Sequence, residues 1–192
     1  MTTVFEAIKS RRSIRKYKDR VPDKEIIKKV IKAANWAPSN GNSQPWSFYV
    51  VKGDARKKIC DVFYEFAKDY IPSALYIPEE KKPKMLAYAK DFGGAPIHIV
   101  VAYKVENNPI KDEEALMAAS AAVQNLCLSA WEEGLGTVWI AGYVYHDKRV
   151  IESLNLSDDQ RIAGIITTGI PDMEPTIPPR KDPATKTEWM GF

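Results

Sequence analysis

Residues 113–133, EEALMAASAAVQNLCLSAWEE, are apolar almost all round when wound as an α-helix. Such a helix must lie centrally, so the rest of the chain has to cover it with further layers. At 192 residues, 45% of them hydrophobic, the chain is long enough for one substantial core and short for two. A single domain spanning 1–192 follows.

The elements around this helix can be read in order. Thr3 and Glu6 have capping-box spacing, and Val4, Phe5 and Ile8 share one helical face, which predicts a helix over 4–9. Pro22 and Asp23 open a second helix, carried by Ile26, Ile27, Val30, Ile31 and Ala34 until Pro38 stops the pattern. SNGNSQP is a polar loop and WSFYVV a short strand. A charged amphipathic stretch predicts a helix over 54–70. Segment 71–94 is broken by Pro72, Pro78, Pro83 and Gly93-Gly94. IHIVVAY (97–103), GTVWIAG (136–142) and RIAGIITTG (161–169) read as strands, Gly134 as the cap of the central helix, and 147–154 as a short helix. The tail, 170–192, holds five prolines and reads as extended. Grouped early helices and uneven connections favour an α+β or mixed α/β fold, a central mixed sheet covered by helices, over a regular doubly wound one.

The net charge is +3, yet KSRRSIRKYKDR (9–20) carries seven bases, leaving 21 bases against 24 acids elsewhere. The positive surplus is local. A nucleic-acid surface spreads its charge along a face and interleaves aromatics, whereas only Tyr17 interrupts this cluster, so no nucleic-acid partner is expected. No membrane span is expected either, because no apolar run approaches eighteen residues. The first twelve residues contain no leader-like apolar run, and Cys60 and Cys127 stand apart with no metal-ligand spacing. These features predict a soluble cytoplasmic protein with reduced thiols and no metal.

Catalytic side chains are scarce. His98 sits in a strand that reads as core, and His146 in a loop that reads as surface. The carboxylates of Glu132 and Glu133 diverge on a helix, and the nucleophile-elbow, dinucleotide and P-loop fingerprints are missing. Any reaction would have to be carried by a bound cofactor, and no residue is assigned as catalytic. RRSIR suits one small phosphate: guanidinium forks meet its oxygens bidentately and a serine hydroxyl fills a remaining site. In an extended segment Arg11, Ser13 and Arg15 point one way and Arg12 and Lys16 another. The same residues would also make a solvated basic turn.

RRSIRKY, then WAPSNGNSQPWSFYVV, FGGAPIHIVV, AASAAVQNLCLSAWEEGLGTVWIAGY and a terminal IPPRKDP follow one another in an order that resembles the FMN-dependent nitroreductase family. The resemblance covers nearly the whole chain. It implies a nitroreductase-like fold assembled as an intertwined homodimer with FMN at the subunit interface. Arg11, Ser13 and Arg15 match the phosphate and ribityl contacts, with Arg12 contributing through its backbone, and Arg180 or Lys181 closes over the same phosphate. Pro38, Ser39 and Asn40 resemble the loop laid against the flavin ring by the partner subunit, and Asn42 and Gln44 match polar positions beside it. Ile140, Ala141 and Gly142 resemble the strand end passing the flavin, where backbone N–H groups and a glycine permit close approach.

The activity so implied is ping-pong: NADPH or NADH reduces the flavin and departs, and a small-molecule acceptor such as a nitroaromatic or quinone then enters. Relatives with other chemistry (dehalogenation, azoline oxidation, flavin fragmentation) and a non-catalytic flavin-binding sensor are the alternatives. The family often carries a longer lid over the flavin, and here only 71–94 is available for one, with Tyr70, Tyr76, Tyr88 and Phe92 as either channel or packing residues. Gln124 and Asn125, polar groups in the apolar helix, are candidates for hydrogen bonds between subunits.

Overall fold

The computed structural model describes residues 3–192. Four strands, β1 (Trp46–Val51), β2 (Ile97–Lys104), β3 (Gly136–Ile140) and β4 (Gln160–Gly169), form one sheet in the order β1-β2-β4-β3. All three pairings are antiparallel, which corrects the expected mixed sheet. Alternation of strand and helix suggested parallel neighbours, and β2 and β3 do run the same way, but β4 inserts between them and faces each in the opposite sense. One isolated parallel bridge remains, Ser13 to Thr137, along the outer edge of β3.

Helices cover both faces. On one, α2 (Lys24–Ala34) and the long α5 (Pro109–Glu132) bury Ile27, Val30, Ala119, Val123 and Leu126 against Ile99 and Ile166. On the other, α3 (Gly53–Ser73) and α6 (Lys148–Ser153) enclose Ile59, Phe92, Val100, Val150 and Ile165. A satellite cluster under α4 (Lys82–Ala89) holds Ile71, Ala74, Ile77 and Ala89.

Local signals explain most boundaries. Thr3 and Glu6 form the expected reciprocal capping box on α1 (Val4–Ser10), and Asp23 and Asp147 cap α2 and α6. Asn108 accepts N–H groups of Ile110 and Lys111, so α5 begins at Pro109, four residues before its apolar run. Pro72 lies inside the last turn of α3 instead of ending it, and its carbonyl accepts the buried Lys82 ammonium at 2.8 Å, tying α4 to α3. The segment expected to be broken thus contains α4 and a short turn.

Two faces expected inside are not covered by this chain. The apolar face of α1 is outward, with Val4 75% and Phe5 71% exposed. Along α5, Ala118, Ala122 and Leu126 are buried, but Ile110, Met117 and Gln124, seven residues apart, are exposed. Asn125 is half-buried beside this stripe.

Both cysteines are buried free thiols. His98 is fully buried: Nδ1 donates to the Ile97 carbonyl at 2.9 Å and Nε2 faces Cys60 Sγ at 3.6 Å. Burial drives its pKa down to about 3, so it is a neutral core residue, as its strand position suggested. His146 is exposed. No helix among the described residues is long and apolar enough to cross a membrane.

Candidate functional site

The basic segment leaves α1 at Arg11 and runs along β3 as an unaccompanied strand. Ile14 and Tyr17 are its inward anchors, and both are buried. The Ile14 N–H donates to the Thr137 carbonyl at 3.0 Å, and the Ile14 side chain fills the space beside Gly136, where a Cβ would come within 2.7 Å of it. Tyr17 donates its hydroxyl to the Ile14 carbonyl at 2.6 Å, with the Thr167 hydroxyl 3.0 Å away. Burial raises the pKa of this phenol, so it remains a donor.

The outer wall is a turn. Phe92, Gly93 and Gly94 all have positive φ (54°, 70° and 77°), and Asp91 accepts both glycine N–H groups. The Gly93 carbonyl accepts the Tyr17 N–H at 3.0 Å, and a Cβ on Gly93 would lie 2.0 Å from the Arg15 carbonyl oxygen. No other residue fits there. Phe92 is fully buried against Phe63, Tyr88 and His98 and is therefore packing, whereas Tyr70 and Tyr76 are exposed, their hydroxyls 2.8 Å apart.

With Ile14 and Tyr17 inward, the cations face out. Arg11, Arg12, Ser13 and Arg15 line a cavity of about 290 Å3 together with Met173, Thr176 and Arg180. The tail is docked by the Lys18 N–H on the Ile170 carbonyl (2.9 Å), the Asp172 N–H on the Lys16 carbonyl (3.0 Å) and a Lys16–Asp172 ion pair (2.6 Å). Lys16 thus faces away, as alternation predicts. Arg12 does not: it also lines the cavity, and its guanidinium donates to the Arg11 carbonyl at 2.5 Å where the chain leaves α1. Arg180 lines the cavity and Lys181 does not.

The electrostatics are one-sided. Four guanidinium groups line the cavity, no carboxylate does, and none of the four forms an ion pair among the described residues. The Nε atoms of Arg11 and Arg12 are buried without a hydrogen-bond partner. Each such donor costs about 1–3 kcal/mol until an acceptor meets it. The residues present fit a phosphate monoester.

Further along the same edge, β3 ends at Ile140, whose carbonyl accepts the Tyr145 hydroxyl. Gly142 follows at φ 105°, ψ −148°, open to a glycine, and both Ala141 and Gly142 are exposed. Neither of their N–H groups donates to a backbone acceptor among the described residues. By contrast, the Pro38–Gln44 loop lies at the other end of α5. Asn40 donates its amide to Glu114 at 2.8 Å, whereas Ser10, beside the arginines, accepts the Trp131 indole N–H at 2.9 Å. Those two points on α5 are seventeen residues, roughly 25 Å, apart. Within one chain the loop and the arginines do not form one site. Ser39 Oγ accepts the Gln44 N–H, and Gly41, Asn42 and Gln44 all have positive φ.

Several builders of the site carried weak sequence signals. Gly93 was visible only as punctuation, Gly136 as a strand start, Tyr17 as an interruption of the charge, and Met173, whose sulfur accepts the Arg15 N–H at 3.2 Å, carried none.

Residues 8–170 match the model of the Nitroreductase family. YfhC of Bacillus subtilis (strain 168), whose name assigns it provisionally to the NAD(P)H nitroreductases, is 33% identical over 176 residues, covering 91% of this chain and 88% of its own. The iodotyrosine deiodinase of Thermotoga neapolitana is 28% identical over 181 residues, covering 90% of each chain. The crystal structure of a nitroreductase-like family protein from Bacillus cereus superposes with a TM-score of 0.80 at 30% identity, covering all of this chain and 98% of that one. Motif order, fold and sequence agree, and the chain belongs to the nitroreductase family.

Proposed function

We propose that this chain binds FMN and transfers electrons from NADPH or NADH to a small electron-poor acceptor, a nitroaromatic or a quinone. The observation that carries the reading is the cavity holding four arginines and no acid, with two guanidinium N–H groups buried and unmet. Arg11, Arg12, Ser13, Arg15 and Arg180 would hold the phosphate, and the free N–H groups of Ala141 and Gly142 would face the ring. When bound, FMN supplies the redox chemistry that no side chain here provides. The protein contributes an anion site of fixed shape and a neutral wall. Tyr17 and His98 exchange no proton near pH 7, because burial holds the first protonated and the second neutral. The overall exchange balances as nitro compound, NAD(P)H and one proton giving nitroso compound, NAD(P)+ and water.

The site is completed by a second copy. Pro38, Ser39, Asn40, Asn42 and Gln44 are too far along α5 to reach the arginines of their own chain, and the uncovered faces of α1 and α5 offer apolar area for a homodimer. In an antiparallel pairing of two α5 helices, the loop of one subunit meets the arginines of the other. Gln124 and Asn125 then lie on or beside the seam.

Purified protein should be yellow, bleach anaerobically with NADPH or NADH, and recover colour with a nitroaromatic or quinone. Flavin that neither donor bleaches would overturn the reading in favour of a non-catalytic flavoprotein. The deiodinase relative supports a second reading, reductive dehalogenation on the same scaffold. Halide release from a haloaromatic in place of nitro reduction would select it.

A further inference from the structure

A second cavity, of about 380 Å3, lies between α3 and α4, next to the first. Phe63, Ile71, Met85 and Tyr88 give it flat apolar walls, and its charged lining is Arg15, Lys81 and Lys84. No carboxylate lines it. The neighbouring Lys82 is engaged by Glu79 and the Pro72 carbonyl, whereas Lys81 and Lys84 form no ion pair among the described residues. On the same wall the Tyr88 hydroxyl is buried without a hydrogen-bond partner. Burial raises its pKa to about 12, with Arg15 and the Thr167 hydroxyl easing the rise, so it stays protonated beside the buried Thr167. Arg15 lines both cavities.

An apolar slot bordered by charge of one sign discriminates between ligands by charge and shape together. A neutral aromatic leaves the cations unmatched. An aliphatic dianion wastes the ring walls. We infer that this cavity takes an aromatic carboxylate, its ring against Phe63, Met85 and Tyr88 and its anion toward Lys81 and Lys84, and that such acids are the preferred acceptors. The second half of this inference rests on the function proposed above; the first half, occupancy by an aromatic acid, does not.

The experiment therefore has a binding arm and a turnover arm. Phenylacetate and its neutral methyl ester are titrated calorimetrically into the protein as purified. The acid should bind at least tenfold more tightly than the ester, and weaken with salt. The double variant Lys81→Ala/Lys84→Ala should lose about tenfold of that affinity, and Lys81→Arg/Lys84→Arg should restore it. Equal affinity for acid and ester, or an acid affinity unchanged in the double alanine variant, overturns the site. In the turnover arm, the kcat/KM ratio of 4-nitrophenylacetate to its methyl ester should fall about tenfold in the double alanine variant, and a ratio that does not move overturns the acceptor assignment. Turnover of neither nitro compound overturns the acceptor assignment, anaerobic bleaching of the flavin by NADPH or NADH decides the proposed function separately, and the titration decides whether the cavity holds an aromatic acid.

Discussion

Arg11–Tyr17 and Pro38–Gln44 are matched to one cofactor by the same resemblance, yet the fold treats them in opposite ways. The arginine strand is seated by long-range contacts on three sides, from Thr137, Gly93 and Ile170, and its two inward side chains are buried. The loop is held mainly by its own bonds: the Gln44 N–H on Ser39 Oγ, the Ser43 N–H on the Asn40 carbonyl, and one amide reaching Glu114. A region whose shape is over-determined by its own subunit can hold a charged group before any partner arrives. The loop, mostly exposed and with three residues at positive φ, presents most of its polar groups to solvent.

That contrast can be broken most severely at Gly93. Gly93→Ala drives a Cβ into the Arg15 carbonyl at a positive φ, so the strand must lift or the turn must unwind. A loss on the order of 3 kcal/mol or more is expected in chemical denaturation. Gly41→Ala in the loop, with open space around its Cβ, should cost about 1 kcal/mol, from backbone conformation alone. Equal losses would show that the two regions are held alike.

Acid should loosen the strand's floor as well. His98 is paired in register with Thr167, whose hydroxyl meets Tyr17. The unfolded imidazole takes a proton below about pH 6.5, whereas the folded one stays neutral down to about 3. The unfolded state therefore binds more protons in that window, and stability falls as pH drops. The contribution at pH 4.5 is on the order of 3 kcal/mol. A His98 ring resonance that titrates above pH 5 in the folded protein would remove this effect.

Binding tests sharpen the same comparison at smaller magnitude. Arg11→Ala should weaken FMN retention by about 1–3 kcal/mol, read by flavin titration. Asn40→Ala should alter stability by less than about 0.5 kcal/mol, since its one partner is exposed, and should lower FMN affinity only in protein that has dimerised. Equal loss in monomer and dimer would place the loop beside its own subunit's arginines.

The sequence carried much of this. Strand β1 and the N-termini of α1, α2 and α6 were legible because their signals are local: a β-branched aromatic run, a capping box, two capping aspartates. The arginine cluster was legible because like charges in one short segment need an external counterion. What was hidden depends on distance along the chain. Nothing near β2 or β3 says that β4 will slide between them, and nothing in Arg12 says that the exit from α1 turns it toward Arg11. The cavity above Tyr88 was unreadable for the same reason, since α3, α4 and the basic strand build it jointly. The apolar pattern of α5 implied burial all round, whereas this chain covers the side with Ala118, Ala122 and Leu126 and leaves Ile110 and Met117 exposed.

The docking of the basic strand also fixes when the site can exist. Its contacts reach residues 93, 137 and 170, so all three anchors are present only once synthesis has passed residue 170. The last strand, β4, fills the place between β2 and β3, and only the tail that follows it, with Met173, Thr176 and Arg180, closes the cavity around the arginines.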